Sequence, residues 1–143
     1  MKVLFLDFDG VLNSYHSPRS NGDIFSPVSC LCLNQVLSLE PELKIVVSSA
    51  WRLHGLEYVR RVLDKNGIDP ARVIDVTGRE VGFRGYQIQC WLDRNPGVEN
   101  FVILDDESDM GSLMHKLVKT RSFKGLTPEE VPLVVETLNK PIK

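Results

Sequence analysis

Val3 to Asn13 reads V-L-F-L-D-F-D-G-V-L-N. Four apolar residues run directly into Asp7 and Asp9, which a single phenylalanine separates, and Gly10 follows at once. A continuous apolar run of this kind suits a strand buried on both faces of a parallel sheet. Two acids at the exit of such a strand repel each other and resist ionisation unless something cationic holds them. If the backbone stays extended through Asp9, both carboxylates point to the same side, and Gly10 then lets the chain bend sharply. The stretch is read as the beginning of a site rather than as a polar turn.

Three further apolar runs repeat the pattern outward from this one. Leu43 to Val47 ends in Ser48-Ser49-Ala50-Trp51-Arg52, Arg72 to Val76 is shorter, and Phe101 to Leu104 ends in Asp105-Asp106-Glu107-Ser108-Asp109. Helical patterns lie between them. Ser26-Pro27 provides a cap and a first-turn proline for a helix over Val28 to Leu39, with Leu31, Val36, Leu37 and Leu39 as its packing face. His54 to Asn66 carries Leu56, Val59, Val62 and Leu63 inward and stops at Gly67. Tyr86 to Arg94 places Ile88, Trp91 and Leu92 on one side. A short helix near Ser112 to Leu117, a weak strand near Val118 to Ser122 and a final helix from Thr127-Pro128 to about Asn139 complete the series. Apolar strands alternating with helices predict an α/β fold: a three-layer, Rossmann-like parallel sheet of about five strands with helices on both faces and right-handed crossovers. The 143 residues are expected to form a single domain.

Composition excludes several classes. With 43% hydrophobic and 25% charged residues the chain is ordinary for a globular protein, and a net charge of -2 gives no general pull toward nucleic acid or anionic lipid. Three cysteines, Cys30, Cys32 and Cys90, lack the count and spacing of a disulfide framework. Cys30-x-Cys32 is read as core thiols, since no second Cys/His cluster accompanies it. The apolar stretch behind Lys2 is broken by Asp7, so neither a signal peptide nor a membrane span is expected, and the expected compartment is the cytoplasm.

In open α/β sheets ligands bind outside the carboxyl ends of the strands, where strand order reverses. With the first strand central, Asp7 and Asp9, Ser48 and Ser49, and Asp105 and Asp106 converge there. Oxygen ligands of this kind suit a hard divalent cation, Mg²⁺ above all. Phosphoryl transfer accounts for each residue type. A carboxylate such as Asp7 attacks in line. Metal, serine hydroxyl, backbone N–H groups after the strand (Gly10 among them) and a basic side chain offset the phosphoryl charge. Asp9 supplies the proton for the leaving oxygen and later accepts one from water.

These motifs resemble those of the haloacid dehalogenase-like (HAD) hydrolase superfamily over nearly the whole chain. D-F-D-G-V at Asp7 to Val11 resembles its first motif, which implies Asp7 as nucleophile and Asp9 as acid/base, with the Asp9 main-chain carbonyl on the Mg²⁺. The strand ending at Ser48 resembles the second motif, whose hydroxyl binds phosphate; Ser48 and adjacent Ser49 both stand for that role. L-D-D-E-S-D at Leu104 to Asp109 resembles the fourth and implies Asp105 and Asp106 as metal-holding acids, with Asp109 a weaker candidate. For the lone cation of the third motif, Arg84 in G-F-R-G-Y is chosen over Arg79. Asp9, as an acid, favours phosphate esters over carbon–halogen bonds, hence an Mg²⁺-dependent phosphatase.

Family members often carry a cap domain, and the intervals here leave no room for one. Only the Ser14 to Ser26 loop, with Tyr15, His16 and Arg19, stands near the mouth as a partial flap. Capless members often act on large substrates, so the expected partner is a phosphorylated substrate, small or macromolecular. The pattern S-S-A-W-R, then R-G-Y-Q-I-Q-C-W-L, then V-I-L-D-D is similar to small phosphatase-like domains associated with RNA repair proteins, which implies a nucleic acid 3′-phosphate end as one specific substrate. Trp51-Arg52 has two readings: Trp51 stacks on a base and Arg52 holds a backbone phosphate, or Trp51 packs in the core and Arg52 caps a helix or pairs with an acid. The competing functions are a catalytically silent phosphate- and Mg²⁺-binding module and a receiver-type signalling domain. The latter would place its acid pair on the first strand, not the fourth.

Overall fold

The computed structural model describes residues 1–13 and 22–141. Tyr15, His16, Arg19 and most of the expected flap lie outside the described residues. Among those described, β1 (Lys2–Leu6), β2 (Lys44–Val47), β3 (Val73–Val76), β4 (Asn100–Asp105) and β5 (Leu117–Lys119) form one sheet in the order β3-β2-β1-β4-β5. Every pairing in it is parallel. The chain builds outward from β1 to β3, then returns to lay β4 and β5 on the other side. Strand order thus reverses between β1 and β4, and a crevice opens at their carboxyl ends.

Alternation along each strand divides the core in two. Leu4, Leu6, Val47 and Leu104 face one layer, packed by α1 (Pro27–Leu39), α2 (Leu56–Lys65) and α4 (Val131–Leu138) through residues such as Leu33, Val59 and Val134. Val3, Phe5, Val46 and Ile103 face the other layer, where α3 (Arg84–Arg94) contributes Ile88 and Trp91. There Phe5 meets Trp91 and Phe101 edge-on, with ring centroids 5.5 and 5.8 Å away. Among the described residues, the intervals between strands hold their crossovers and no folded cap. No helix among the described residues is long and apolar enough to cross a membrane.

Several element boundaries and faces differ from expectation for identifiable reasons. In α1, Leu31 and Leu39 are exposed, while Cys30, Cys32, Leu33, Val36 and Leu37 are buried. The expected face ran through Leu31 and Leu39, which the helix turns outward; the two cysteines are buried, as expected of core thiols. Burial pushes the Cys30 thiol up to about 11, as for an inert core thiol. The second helix begins late because Gly55, at φ 94°, separates a 3₁₀ turn at Ala50–His54 from α2. At the last helix, Thr127 and Glu130 do form a reciprocal cap: the Glu130 carboxylate accepts from the Thr127 N–H at 2.8 Å, and the Thr127 hydroxyl accepts from the Glu129 N–H at 3.3 Å. Pro132 has no N–H to give the Pro128 carbonyl, so this first turn stays outside α4, which begins at Val131.

Candidate active site

The sheet register assembles the site. Leu6 pairs with Val47 on one side and Leu104 on the other, and Val47 pairs with Val76. One residue further, the ladder continues with Asp7 N–H to Leu104 O (3.1 Å), Ser48 N–H to Leu6 O (3.0 Å) and Thr77 N–H to Val47 O (3.0 Å). Thr77, Ser48, Asp7 and Asp105 therefore form one polar row across the strand ends. The row two residues back, Phe5, Val46 and Ile103, packs toward α3, and by alternation this one shares that side. The convergence expected from three separate strand ends is what the register delivers.

Arg84 enters from α3. Its Nη1 lies 2.7 Å from Asp105 Oδ2 and 3.3 Å from Asp7 Oδ1. The position follows from how the start of α3 is held. Asp109 accepts from the Arg84 N–H at 3.2 Å through its carboxylate and from the Gly85 N–H at 3.0 Å through its carbonyl. A Cβ at Gly85 would overlap the Met110 carbonyl, so only glycine permits this approach. Asp109 thus holds the arginine's helix and stands outside the carboxylate cluster. Arg79 is exposed and donates to the Leu53 carbonyl at 2.8 Å. Of the two arginines, Arg84 is the one that joins the acids.

Asp7, Asp105 and Asp106 each offer an oxygen, all within 4.8 Å of one another. Asp7 and Asp105 are buried, and Asp106 is half-buried. Burial, reinforced by the Asp105 charge and only partly offset by Arg84, pushes the Asp7 carboxyl up to about 8. Burial also lifts Asp106 above the usual carboxylate range. Gly10 makes room for Asp106: it sits at φ 83°, and a Cβ there would overlap the Asp106 carboxylate. Its N–H donates to Asn13 O at 2.7 Å and its carbonyl accepts from Thr120 Oγ1 at 2.7 Å. Its N–H is therefore taken up within the turn, and its carbonyl by a residue 110 positions on.

Asp9 leaves the row. The chain does not stay extended after Asp7, because the Phe8 carbonyl accepts from the N–H groups of Val11, Leu12 and Asn13 and coils the backbone. Asp9 Oδ2 accepts from Trp51 Nε1 at 3.0 Å, and Oδ1 from Asn13 Nδ2 at 3.3 Å. Its carboxylate is no member of the three-acid group. A small cavity of about 170 Å³ lies between the two, lined by Asp7, Asp9, Ser49, Ala50, Arg84, Asp106 and Glu107. Ser49 borders it, and its Oγ accepts from the Trp51 N–H at 3.3 Å while keeping its own proton to donate. Ser48 Oγ, in the row beside Asp7, is fully buried with no partner among the described residues, as is Thr77 Oγ1.

Two residues carry more of the site than the sequence disclosed. Trp51 packs on Phe8, Phe25 and Tyr58, combining a core position with a hydrogen bond to Asp9. Arg52 is 9% exposed and donates to Ser49 O, Gly78 O and Gln87 Oε1, each at 3.1 Å. It ties the loops after β2 and β3 to α3. Burial, then the nearby charges of Arg84 and Arg79, lower its pKa from the usual value. No acid pairs with it among the described residues. The signal for both was their place immediately behind a strand-ending serine pair.

The sequence model of a family described as "HAD domain in Swiss Army Knife RNA repair proteins" matches residues 3–131. No curated protein matches the chain. Among solved structures, the HAD domain of effector protein Lem4 from Legionella pneumophila is similar in fold, with TM-score 0.63, 19% identity, and coverage of 96% of this chain and 95% of that one. An inactive mutant of the same domain gives TM-score 0.63 at 17% identity, covering 96% and 94%. The chain belongs to the HAD domain family of Swiss Army Knife RNA repair proteins, and so to the HAD hydrolase superfamily.

Proposed function

We propose that this chain is an Mg²⁺-dependent phosphatase that hydrolyses a phosphate monoester through an aspartyl-phosphate on Asp7, with the phosphorylated end of an RNA as its substrate. The observation that carries the reading is the position of Asp7 at the centre of the polar row, ion-paired to Arg84 and facing a cavity of about 170 Å³. The cluster fits a hard divalent cation. Its donors are all carboxylate oxygens within 4.8 Å of one another, and without a cation Asp7 is held protonated up to about 8, unfit to attack at neutral pH. Asp7, Asp105 and Asp106 would hold Mg²⁺, which when bound keeps Asp7 ionised and draws charge from the phosphoryl oxygens.

The remaining work belongs to the chain's own groups. Asp7 forms an O–P bond as the ester P–O bond breaks, and the Asp9 carboxyl gives its proton to the departing oxygen. Asp9, now ionised, takes a proton from the water that attacks phosphorus, and the bond to Asp7 breaks to free inorganic phosphate. Arg84 and the hydroxyls of Ser48 and Ser49 offer donors to the phosphoryl oxygens. Arg52 holds the serine loop in place by its bond to Ser49 O. No folded cap stands over the crevice among the described residues, which suits a macromolecular end, and the family's association with RNA repair supports RNA as that macromolecule.

The test is hydrolysis of p-nitrophenyl phosphate and of 3′-phosphorylated oligoribonucleotides. Turnover with Mg²⁺, lost in EDTA and in Asp7→Asn, is the expected result. Undiminished turnover by Asp7→Asn would overturn the assignment of the nucleophile, and preference for phosphopeptides would overturn the RNA substrate.

A further inference from the structure

A second hollow of about 280 Å³ adjoins the phosphate-sized cavity, lined by Asp9, Ala50, Trp51, His54 and Tyr58. Asp9 and Ala50 line both, so the residue proposed to protonate the leaving oxygen stands in the wall between them. Whatever departs with that oxygen lies on the far side of the wall, among aromatic rings. His54 and Tyr58 have ring centroids 4.8 Å apart, and Trp51 and Tyr58 6.3 Å. Arg61 extends the series: its guanidinium lies 5.9 Å from the Tyr58 ring centroid, and no acid pairs with it among the described residues.

We propose that this hollow is a leaving-group subsite for the base of a terminal nucleotide, with Tyr58 and His54 as its stacking surface and Arg61 placed for the next backbone phosphate. The inference rests on the phosphatase reading and names the part of the substrate that sits beside the reacting phosphate. The size suits one ring system, being just below the range of small-molecule sites, which starts at about 300 Å³. Aromatic faces stack any base through its π surface, and a cation at the end of such a row suits a nucleic acid strand. Trp51 turns its N–H edge on Asp9, and the rings of Tyr58 and His54 line the hollow beside it. A ribose between ester oxygen and base would set the base away from Asp9 toward those rings; an aryl ester carries its ring directly on the oxygen.

The test compares kcat/KM for adenosine 3′-monophosphate, which carries a base, with that for glycerol 2-phosphate, which does not. The parent with Mg²⁺ is expected to prefer the nucleotide. His54→Ala/Tyr58→Ala should cut kcat/KM for the nucleotide by roughly tenfold or more, mainly through KM, as loss of one stacked base does, and so erode the preference. Tyr58→Phe should retain it. Circular dichroism checks folding, and His54→Ala alone, at an exposed position, serves if the double variant does not fold. Equal use of both esters by the parent, the same ratio in the variants, or a preference for phosphotyrosine overturns the subsite while leaving the phosphatase reading intact. If neither ester is hydrolysed, the phosphatase reading falls, and calorimetry with adenosine 3′-monophosphate decides the subsite: binding lost in the double variant upholds it, and no binding by the parent overturns it.

Discussion

Replacing Asp7 with asparagine should stabilise the metal-free chain at mildly alkaline pH while abolishing turnover. In the folded chain burial and the Asp105 charge raise the Asp7 carboxyl from 3.8 to about 8. Between those values the folded state holds a proton that the unfolded state has released, so stability is greatest below the window and falls as pH rises through it. Each unit costs about 1.4 kcal/mol, so the rise from about pH 5 to about pH 8 removes on the order of 4 kcal/mol. For a chain of this length, at about 2–4 °C per kcal/mol, that corresponds to a fall in Tm of roughly 10 °C. Asp106, raised by burial as well, adds to it in the same direction. The assay is thermal unfolding followed by circular dichroism across this range, in EDTA and in saturating Mg²⁺. Asp7→Asn has nothing to titrate at that position and should show a much flatter profile in EDTA. Mg²⁺ should restore the parent's alkaline stability, since a cation on the carboxylates favours their ionised form. A parent Tm in EDTA that holds steady or climbs with pH, or an asparagine variant with the parent's slope, would refute the reasoning.

Arg84→Ala removes a donor to the phosphoryl group and the partner of a fully buried Asp105. The expected loss is about 10²–10³-fold in kcat, together with about 3–5 kcal/mol of stability in EDTA from the uncompensated charge; full activity would contradict the first, and an unchanged Tm in EDTA the second. Trp51→Phe keeps an aromatic ring against Phe8, Phe25 and Tyr58 but drops the hydrogen bond to Asp9. Turnover of an alkyl phosphate, whose leaving oxygen needs a proton, should fall about tenfold, within the range general acids supply, and that of p-nitrophenyl phosphate much less. Equal losses on both substrates would assign Trp51 a packing role alone. Gly10→Ala meets both an unfavourable φ and the Asp106 carboxylate, so it should cost on the order of 1–3 kcal/mol and raise the Mg²⁺ concentration needed to shift Tm. An unchanged Mg²⁺ midpoint would show that Asp106 does not depend on that contact.

The parallel sheet and its acid-bearing edge were legible because the same residues carry both signals. An apolar run that ends abruptly in Asp or Ser marks a buried strand and its functional end at once, and register does the rest. Asp7, Ser48 and Asp105 come together for that reason. Arg84 was harder, because no periodicity marks a lone cation; its place depends on Asp109 and on the absence of a side chain at Gly85. Asp9 shows the opposite limit. The extended geometry that aligns it with Asp7 stops one residue too early, at a turn closed by the Phe8 carbonyl, and its partner Trp51 lies 42 residues away along the chain. The inward face of α1 was misdrawn at Leu31 and Leu39, while Cys30 and Cys32 are buried as core thiols.

The turn behind Asp7 is fastened by the segment that follows β5. Thr120 bonds Gly10 across 110 positions, Leu126 N–H reaches Val11 O at 2.7 Å, and Ser29 Oγ grips Leu126 O at 2.9 Å. During synthesis Asp7 therefore emerges well before Thr120 and Leu126, and the clasp that shapes its loop can form only once both have followed. Contacts this distant in sequence slow folding, since the intervening loop must close before they form. Until these contacts form, Asp7 stands without the bonds that hold the turn beside it.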